Sequence, residues 1–241
     1  MDFGKDFLLE SKQYKMKKIN VSIIIPEHKP NKELLKKVLL AVKKQKYSGK
    51  KELIEVNKGL GLAASMNYGI RKAKYPLIVS LHQDCIPEGS NWLSKLIKPL
   101  KKEQVVATCS DVYDVENKKK YTPGFDEKGC AYKKFALKRV GYFDDKTFLN
   151  SGEDLDIYLK LTKIGKIEEA HCVVNHYHPG YLGAKGYKRL QNANTSGCLF
   201  RLQGFHYKSW WKAFILANIF NPKYFYWYWR GFIKGKQDFK R

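Results

Sequence analysis

Apolar positions fall into short runs that alternate with stripes of helical period from about residue 20 onward. Val21 to Ile25 (VSIII) is a β-branched run stopped by Pro26, the pattern of a strand buried on both faces. Asn31 then stands where it can cap a helix whose Leu34, Leu35, Val38, Leu39 and Val42 form one stripe, with lysines opposite. The same alternation repeats. Leu53 to Val56 reads as a second strand, followed by a turn with Gly59 and Gly61 and a helix with Leu62, Met66, Ile70 and Ala73 on its inner face. Leu77 to Leu81 is a third strand, Trp92 to Leu100 a further helix, and Val105 to Thr108 another strand. Strand and helix alternating in this way predict βαβ units around a largely parallel sheet.

Beyond Thr108 the pattern weakens. Residues 111 to 128 are polar and read as a loop, with Asp111 and Asp114 as loop carboxylates. A short strand is expected at Cys130 to Tyr132, then a helix ending at Gly141. Another helix starts after Gly152 with Glu153-Asp154-Leu155-Asp156 in its first turn, where the helix dipole favours acids. Cys172 to Asn175 predicts a late strand running into His176-Tyr177-His178-Pro179.

Charge narrows the partners. With 46 Lys and Arg against 23 Asp and Glu, the chain carries a formal net charge of +23 and attracts polyanions. Arginines number only six of those 46, and Arg is the residue suited to bidentate reading of bases. The split disfavours specific nucleic-acid recognition and suits diffuse attraction to an anionic surface. The five cysteines, Cys85, Cys109, Cys130, Cys172 and Cys198, are scattered without a C-x-x-C pair, so reduced, buried thiols are expected. No apolar run reaches the roughly 18 residues of a spanning helix, and the N-terminus has no signal-peptide core.

Ligands of open α/β sheets bind beyond the carboxyl ends of the strands. Four polar clusters stand at expected strand ends or helix starts: Pro26-Glu27-His28, His82-Gln83-Asp84, Glu153-Asp154 and His176-x-His178. Together they offer carboxylate and imidazole ligands for a divalent cation and a separate carboxylate for proton removal.

Five stretches occur here in a familiar order: VSIIIP, NKGLGLAASMNYGIRKAKYPLIVSLHQDC, VGYFDD, GEDLDIYLKLTKIG and VVNHYHP. In that order they resemble family 2 glycosyltransferases of the GT-A fold, over residues 20 to 179. The resemblance implies a Rossmann-like α/β/α sandwich with a mostly parallel central sheet. It also implies inverting transfer of a sugar from a nucleoside diphosphate sugar (UDP- or GDP-linked), assisted by Mn²⁺ or Mg²⁺. Carried over position by position, Pro26 and Glu27 stand where the base and ribose are held, and Asn67 on the helix near the sugar donor. Asp84 matches the last Asp of the D-x-D motif, reaching metal and diphosphate, although His82 replaces the first. Asp154 takes the place of the catalytic base with Glu153 beside it, and His176, with His178 two residues on, that of the late metal-binding His. The Asp-rich turn after the second strand is replaced by Asn57-Lys58-Gly59.

The C-terminal segment changes the picture once more. Four of the five tryptophans lie at 210, 211, 227 and 229, among lysines. Trp and Tyr favour the headgroup level of a bilayer and Lys adds attraction to anionic lipid. The expected organisation is a glycosyltransferase domain over 1–200 and a helical, aromatic and basic membrane-associating segment over 201–241. The protein is expected in the cytoplasm, peripheral at the inner face of the cell membrane, with a lipid-linked or glycan hydroxyl acceptor. A basic nucleic-acid-binding protein with aromatic stacking platforms, and a catalytically inactive glycosyltransferase relative, are the alternative readings.

Overall fold

The three isoleucines of the first strand divide between two cores. In a computed structural model that describes residues 19–121, 127–148, 152–177, 193–199, 201–202 and 222–234, strand β1 (Val21–Pro26) is buried at all six positions. Side chains of a strand point alternately to its two faces. Ile23 and Ile25 accordingly join one core, with Val38, Val42 and Trp92. Ile24 joins the other, with Met66, Ile70 and Tyr132. Strand β3 (Leu77–Leu81) splits the same way, Leu77, Val79 and Leu81 facing the first core and Ile78 the second.

Helices cover both faces. α1 (Lys32–Lys43), capped by the Asn31 side chain, and α3 (Trp92–Ile97) supply the first core. α2 (Leu62–Lys72), α4 (Lys134–Arg139) and α5 (Glu153–Thr162) supply the second. The result is the expected α/β/α sandwich.

The remaining strands are β2 (Lys51–Val56), β4 (Cys85–Pro87), β5 (Val105–Asp114), β6 (Lys119–Tyr121), β7 (Gly129–Lys133) and β8 (Lys166–His176). They form one sheet in the order β2-β1-β3-β7-β5-β8-β4, with β6 on β5. β2, β1 and β3 are mutually parallel, β5 is parallel to β8, and β7 runs antiparallel between β3 and β5. Five strands therefore end at one edge, and β4, β6 and β7 run the other way. At the opposite edge the buried Lys133 ammonium donates to the carbonyls of Lys102 (2.9 Å) and Glu103 (3.0 Å). Desolvation pulls its pKa down to about 8.

Two sequence expectations are corrected here. Asp111 and Asp114 are strand residues, because β5 continues to Asp114 and then turns back into β6. Polar β5 positions are satisfied by neighbours distant in sequence or by the turn itself: Trp92 Nε1 donates to Ser110 Oγ (2.9 Å), and Asn117 donates from its backbone N (2.9 Å) and Nδ2 (2.8 Å) to the Asp114 carboxylate. The late strand is also longer, 11 residues rather than four, since β8 pairs with β5 along its length. All five cysteines are free and buried.

α2 lies against β1 at Gly69, where a Cβ would come within 2.5 Å of Ile24 Cγ2. Gly69→Ala should therefore destabilise the fold by about 1–3 kcal/mol, although helix propensity alone favours Ala by ~1 kcal/mol. Urea unfolding at constant m-value measures it; a higher midpoint in the variant would refute this packing.

Candidate active site at the carboxyl edge of the sheet

The edge where five strands end is tied together by side chains from neighbouring loops. Gln83, just past β3, accepts from His28 N (2.7 Å) through Oε1 and donates to His28 O (2.9 Å) through Nε2. That two-way amide contact fixes the exit of β1 against the exit of β3. Glu27 N donates to Val56 O (2.9 Å) and fixes the same exit against β2. Pro26, the last residue of β1, is buried in register with Val56. The Glu27 side chain is buried too. Desolvation raises its pKa, and the charge of Glu55 and a hydrogen bond shared with it raise it further. Two acids thus face one another at the mouth of β1 and β2.

Asp84 and His176 are brought together by backbone pairing. β4 runs antiparallel to β8 with Cys85 opposite His176, and Tyr177 N donates to Asp84 O (3.0 Å). Asp84 Oδ2 consequently lies 3.6 Å from His176 Nε2. With Cys85 Sγ, their ligand atoms all lie within 4.8 Å of one another. Burial pushes the Asp84 carboxyl up, but the neighbouring imidazoles of His176 and His82 outweigh it, leaving the group below the ordinary carboxylate range. An ionised carboxylate beside an imidazole, at the end of a sheet, is a donor set that fits Mn²⁺ or Mg²⁺. β5 ends beside them: Asp114 is in register with His176, and Val115 N donates to His176 O (3.1 Å).

The acidic turn is set by a glycine. Gly152 precedes α5 at φ +93°, a left-handed conformation that disfavours a Cβ, and a Cβ there would overlap Thr195 Cγ2. Among the acids that follow, Glu153 is buried and Asp156 is buried 2.5 Å from Lys160 Nζ. Asp154 is half-buried, its Oδ1 accepting from Leu155 N (2.8 Å). Residues 163–165 turn the chain back from the end of α5 into the start of β8.

Residues 33–149 match the sequence model of glycosyl transferase family 2. That stretch, just under half of the chain, is similar to family 2 glycosyltransferases. The chain's fold is that of GT-A enzymes, and similar solved structures agree. One is the mannosyltransferase PcManGT from Pyrobaculum calidifontis in complex with GDP-Man and Mn²⁺, at TM-score 0.56 and 17% identity, covering 81% of this chain and 70% of that one. Another is GalNAc-T7 with UDP, GalNAc and Mn²⁺, at TM-score 0.56 and 15% identity, covering 77% of this chain and half (50%) of that one. No curated protein matches the chain.

The matched span includes Asp84 and Asn67 but ends before Glu153, Asp154 and His176. Of these, strand pairing brings His176 beside Asp84, whereas Glu153 and Asp154 are carried by the sequence resemblance alone. Asn67 is 3% exposed, and both atoms of its amide serve the loop after α4. Nδ2 donates to Phe143 O (2.8 Å) and Asp145 Oδ2 (3.1 Å), and Oδ1 accepts from Phe143 N (3.0 Å). In this structure Asn67 anchors the VGYFDD segment. His178 lies outside the described residues. Sequence reasoning missed Gln83, Glu55, Cys85 and Asp145. The middle position of His82-Gln83-Asp84 was the visible signal for Gln83, but its partner is 55 residues away.

Because Glu27 holds its proton more tightly in the folded chain than in the unfolded one, its contribution to stability is present below about pH 4.5 and lost as pH rises through the raised folded value. Glu27→Gln should therefore gain stability relative to wild type between pH 4 and pH 7. Urea midpoints at the two pH values test this; an unchanged difference would mean that the acid pair is not strained.

Proposed function

We propose that the chain transfers a sugar from a UDP- or GDP-linked donor to the hydroxyl of a lipid-linked or glycan acceptor, with inversion at the anomeric carbon and with Mn²⁺ or Mg²⁺ at Asp84 and His176. The observation that carries this reading is the Asp84–His176 pair, 3.6 Å apart at the carboxyl edge of the sheet in a chain similar to family 2 glycosyltransferases. Two structures of similar fold hold GDP-Man or UDP together with Mn²⁺.

In this reading the edge of β1 and β2, with Pro26, Glu27 and the Asn57-Lys58-Gly59 turn, receives the base and ribose. A divalent cation would supply charge neutralisation for the departing diphosphate. Asp84 is suited to that place because it stays ionised in spite of burial. On the other side, the acceptor oxygen forms its bond to the anomeric carbon while the bond from that carbon to the diphosphate breaks, the electron pair leaving with the diphosphate. The proton of the hydroxyl goes to Asp154. A single displacement of this kind inverts the anomeric carbon. Asp154 suits the role better than its neighbours, since Glu153 is buried and Asp156 is engaged by Lys160. The dipole at the first turn of a helix favours a negative charge there.

Asp84→Ala should remove the metal dependence of nucleoside diphosphate binding and leave the fold intact. Thermal shift with UDP and GDP, with and without Mn²⁺, reports both. An unchanged metal-dependent shift would take Asp84 out of the site.

Asp154→Asn should keep nucleotide binding and melting temperature but lose about 10²–10⁴-fold in transfer rate, the usual contribution of a general base. A purely dipolar role would contribute only ~0.3–1 kcal/mol. Transfer within a few-fold of wild type would move the base to Glu153.

A further inference from the structure

The C-terminal helix α6 (Pro222–Lys234) has aromatic residues all round, yet its two sides differ. One side is sealed against the helical stretch 193–199. Gly231 lies on the backbone of Asn194 and Gly197 on that of Tyr228, so closely that a Cβ at either would overlap main-chain atoms. Asn194 Nδ2 donates to Trp227 O (3.2 Å), Cys198 Sγ to Gly231 O (3.3 Å), and Tyr228 is buried.

The other side is open. Phe225 is 50% exposed, Tyr226 54% and Ile233 69%, with Leu202 at 46%. Trp229 meets Phe225 at a tilt (ring centroids 6.0 Å) and Phe232 edge to face (5.2 Å). Cations lie over these rings, Arg230 at 4.9 Å from the Trp227 centroid and Arg201 at 5.5 Å from that of Phe232. After Glu169 the chain holds 12 Lys and Arg and a single acid, Asp238. A face that is apolar, aromatic and bordered by positive charge complements an anionic bilayer. It would repel a second copy of itself.

The sealed side leads toward the acidic turn. Thr195 abuts Gly152, and Cys198 and Leu199 pack with Phe148, Leu155 and Leu159. The helix that presents the aromatic face is therefore joined through the stretch 193–199 to the helix that carries Glu153 and Asp154.

We propose that α6 lies flat on an anionic membrane through Phe225, Tyr226, Trp229 and Ile233, and that this seat holds the Glu153–Asp154 turn near the bilayer surface, where a lipid-borne acceptor is met. The acceptor part rests on the glycosyltransferase reading; the docking part does not. The test is co-sedimentation of the full chain with phosphatidylcholine vesicles, with and without phosphatidylglycerol, at ~0.15 M salt. Wild type should pellet with the anionic vesicles. Phe225→Ser/Tyr226→Ser/Ile233→Ser should weaken that binding at least about tenfold with an unchanged melting temperature. Brominated phosphatidylglycerol should quench the tryptophan fluorescence of the wild type, an independent readout that needs no variant. Wild type left in the supernatant, a triple variant that pellets equally, or no quenching would overturn the docking. A concentration-dependent dimer that the triple variant dissociates would assign the face to a second copy. A collapse of its melting temperature would assign the face to residues of this chain. Either result also overturns it. If vesicles bind but UDP and GDP with Mn²⁺ do not, the glycosyltransferase reading fails and the docking stands; the reverse result sinks the docking alone.

Discussion

Both faces of the central strands are dry, and most of the molecule follows from that. Ile23 and Ile25 meet one layer of helices and Ile24 the other, so β1 has no side on which a charged group could reach water. An unpaired charge in such a place is expensive, so hydrophilic chemistry is driven to where the strands stop. Because five strands stop at the same edge, residues as distant in sequence as Glu27, Asp84 and His176 come to share one rim.

Charge works at two scales around that rim. Over the whole surface the field is strongly positive, from a net charge of +23. Locally, the rim collects acids, Glu27 and Glu55 at one end and Asp84 beyond β3, and a further acidic turn, Glu153 and Asp154, opens α5. A positive surface draws a nucleoside diphosphate toward the protein from a distance. Acids at short range give a divalent cation and a reacting hydroxyl what lysines could not, namely ligand oxygens and a proton acceptor. The two roles are separable because coordination and proton transfer need contact, while the net field reaches out to about a Debye length, ~8 Å at physiological salt.

Much of the fold and part of the site were legible in the sequence. Runs such as VSIII and LIVSL are unambiguous because burial on both faces leaves no room for polar alternation. The polar residues directly after them pointed to the edge. Asp111 and Asp114 were misread because a polar residue in a strand looks like a loop residue until its partner is known, and the pairing of β5 with β6 and β8 is not local. The length of β8 was hidden likewise, since Glu168, Glu169 and His171 break the apolar pattern while hydrogen bonds to β5 maintain the strand. Asn67 was expected beside the sugar donor. Its amide is occupied by a loop 76 positions later, a contact that the local pattern could not show.

The reversed strand β7 bears on how the chain is made. β3 and β5 are not neighbours in the sheet; the five residues Gly129–Lys133 stand between them and hydrogen-bond to both. During synthesis, every strand of the first half is available before this piece leaves the ribosome. Until then the free edges of β3 and β5 expose unsatisfied amides and apolar side chains, the kind of surface that recruits other nascent chains. A segment with no part in the chemistry thus governs how long the emerging polypeptide remains open to aggregation.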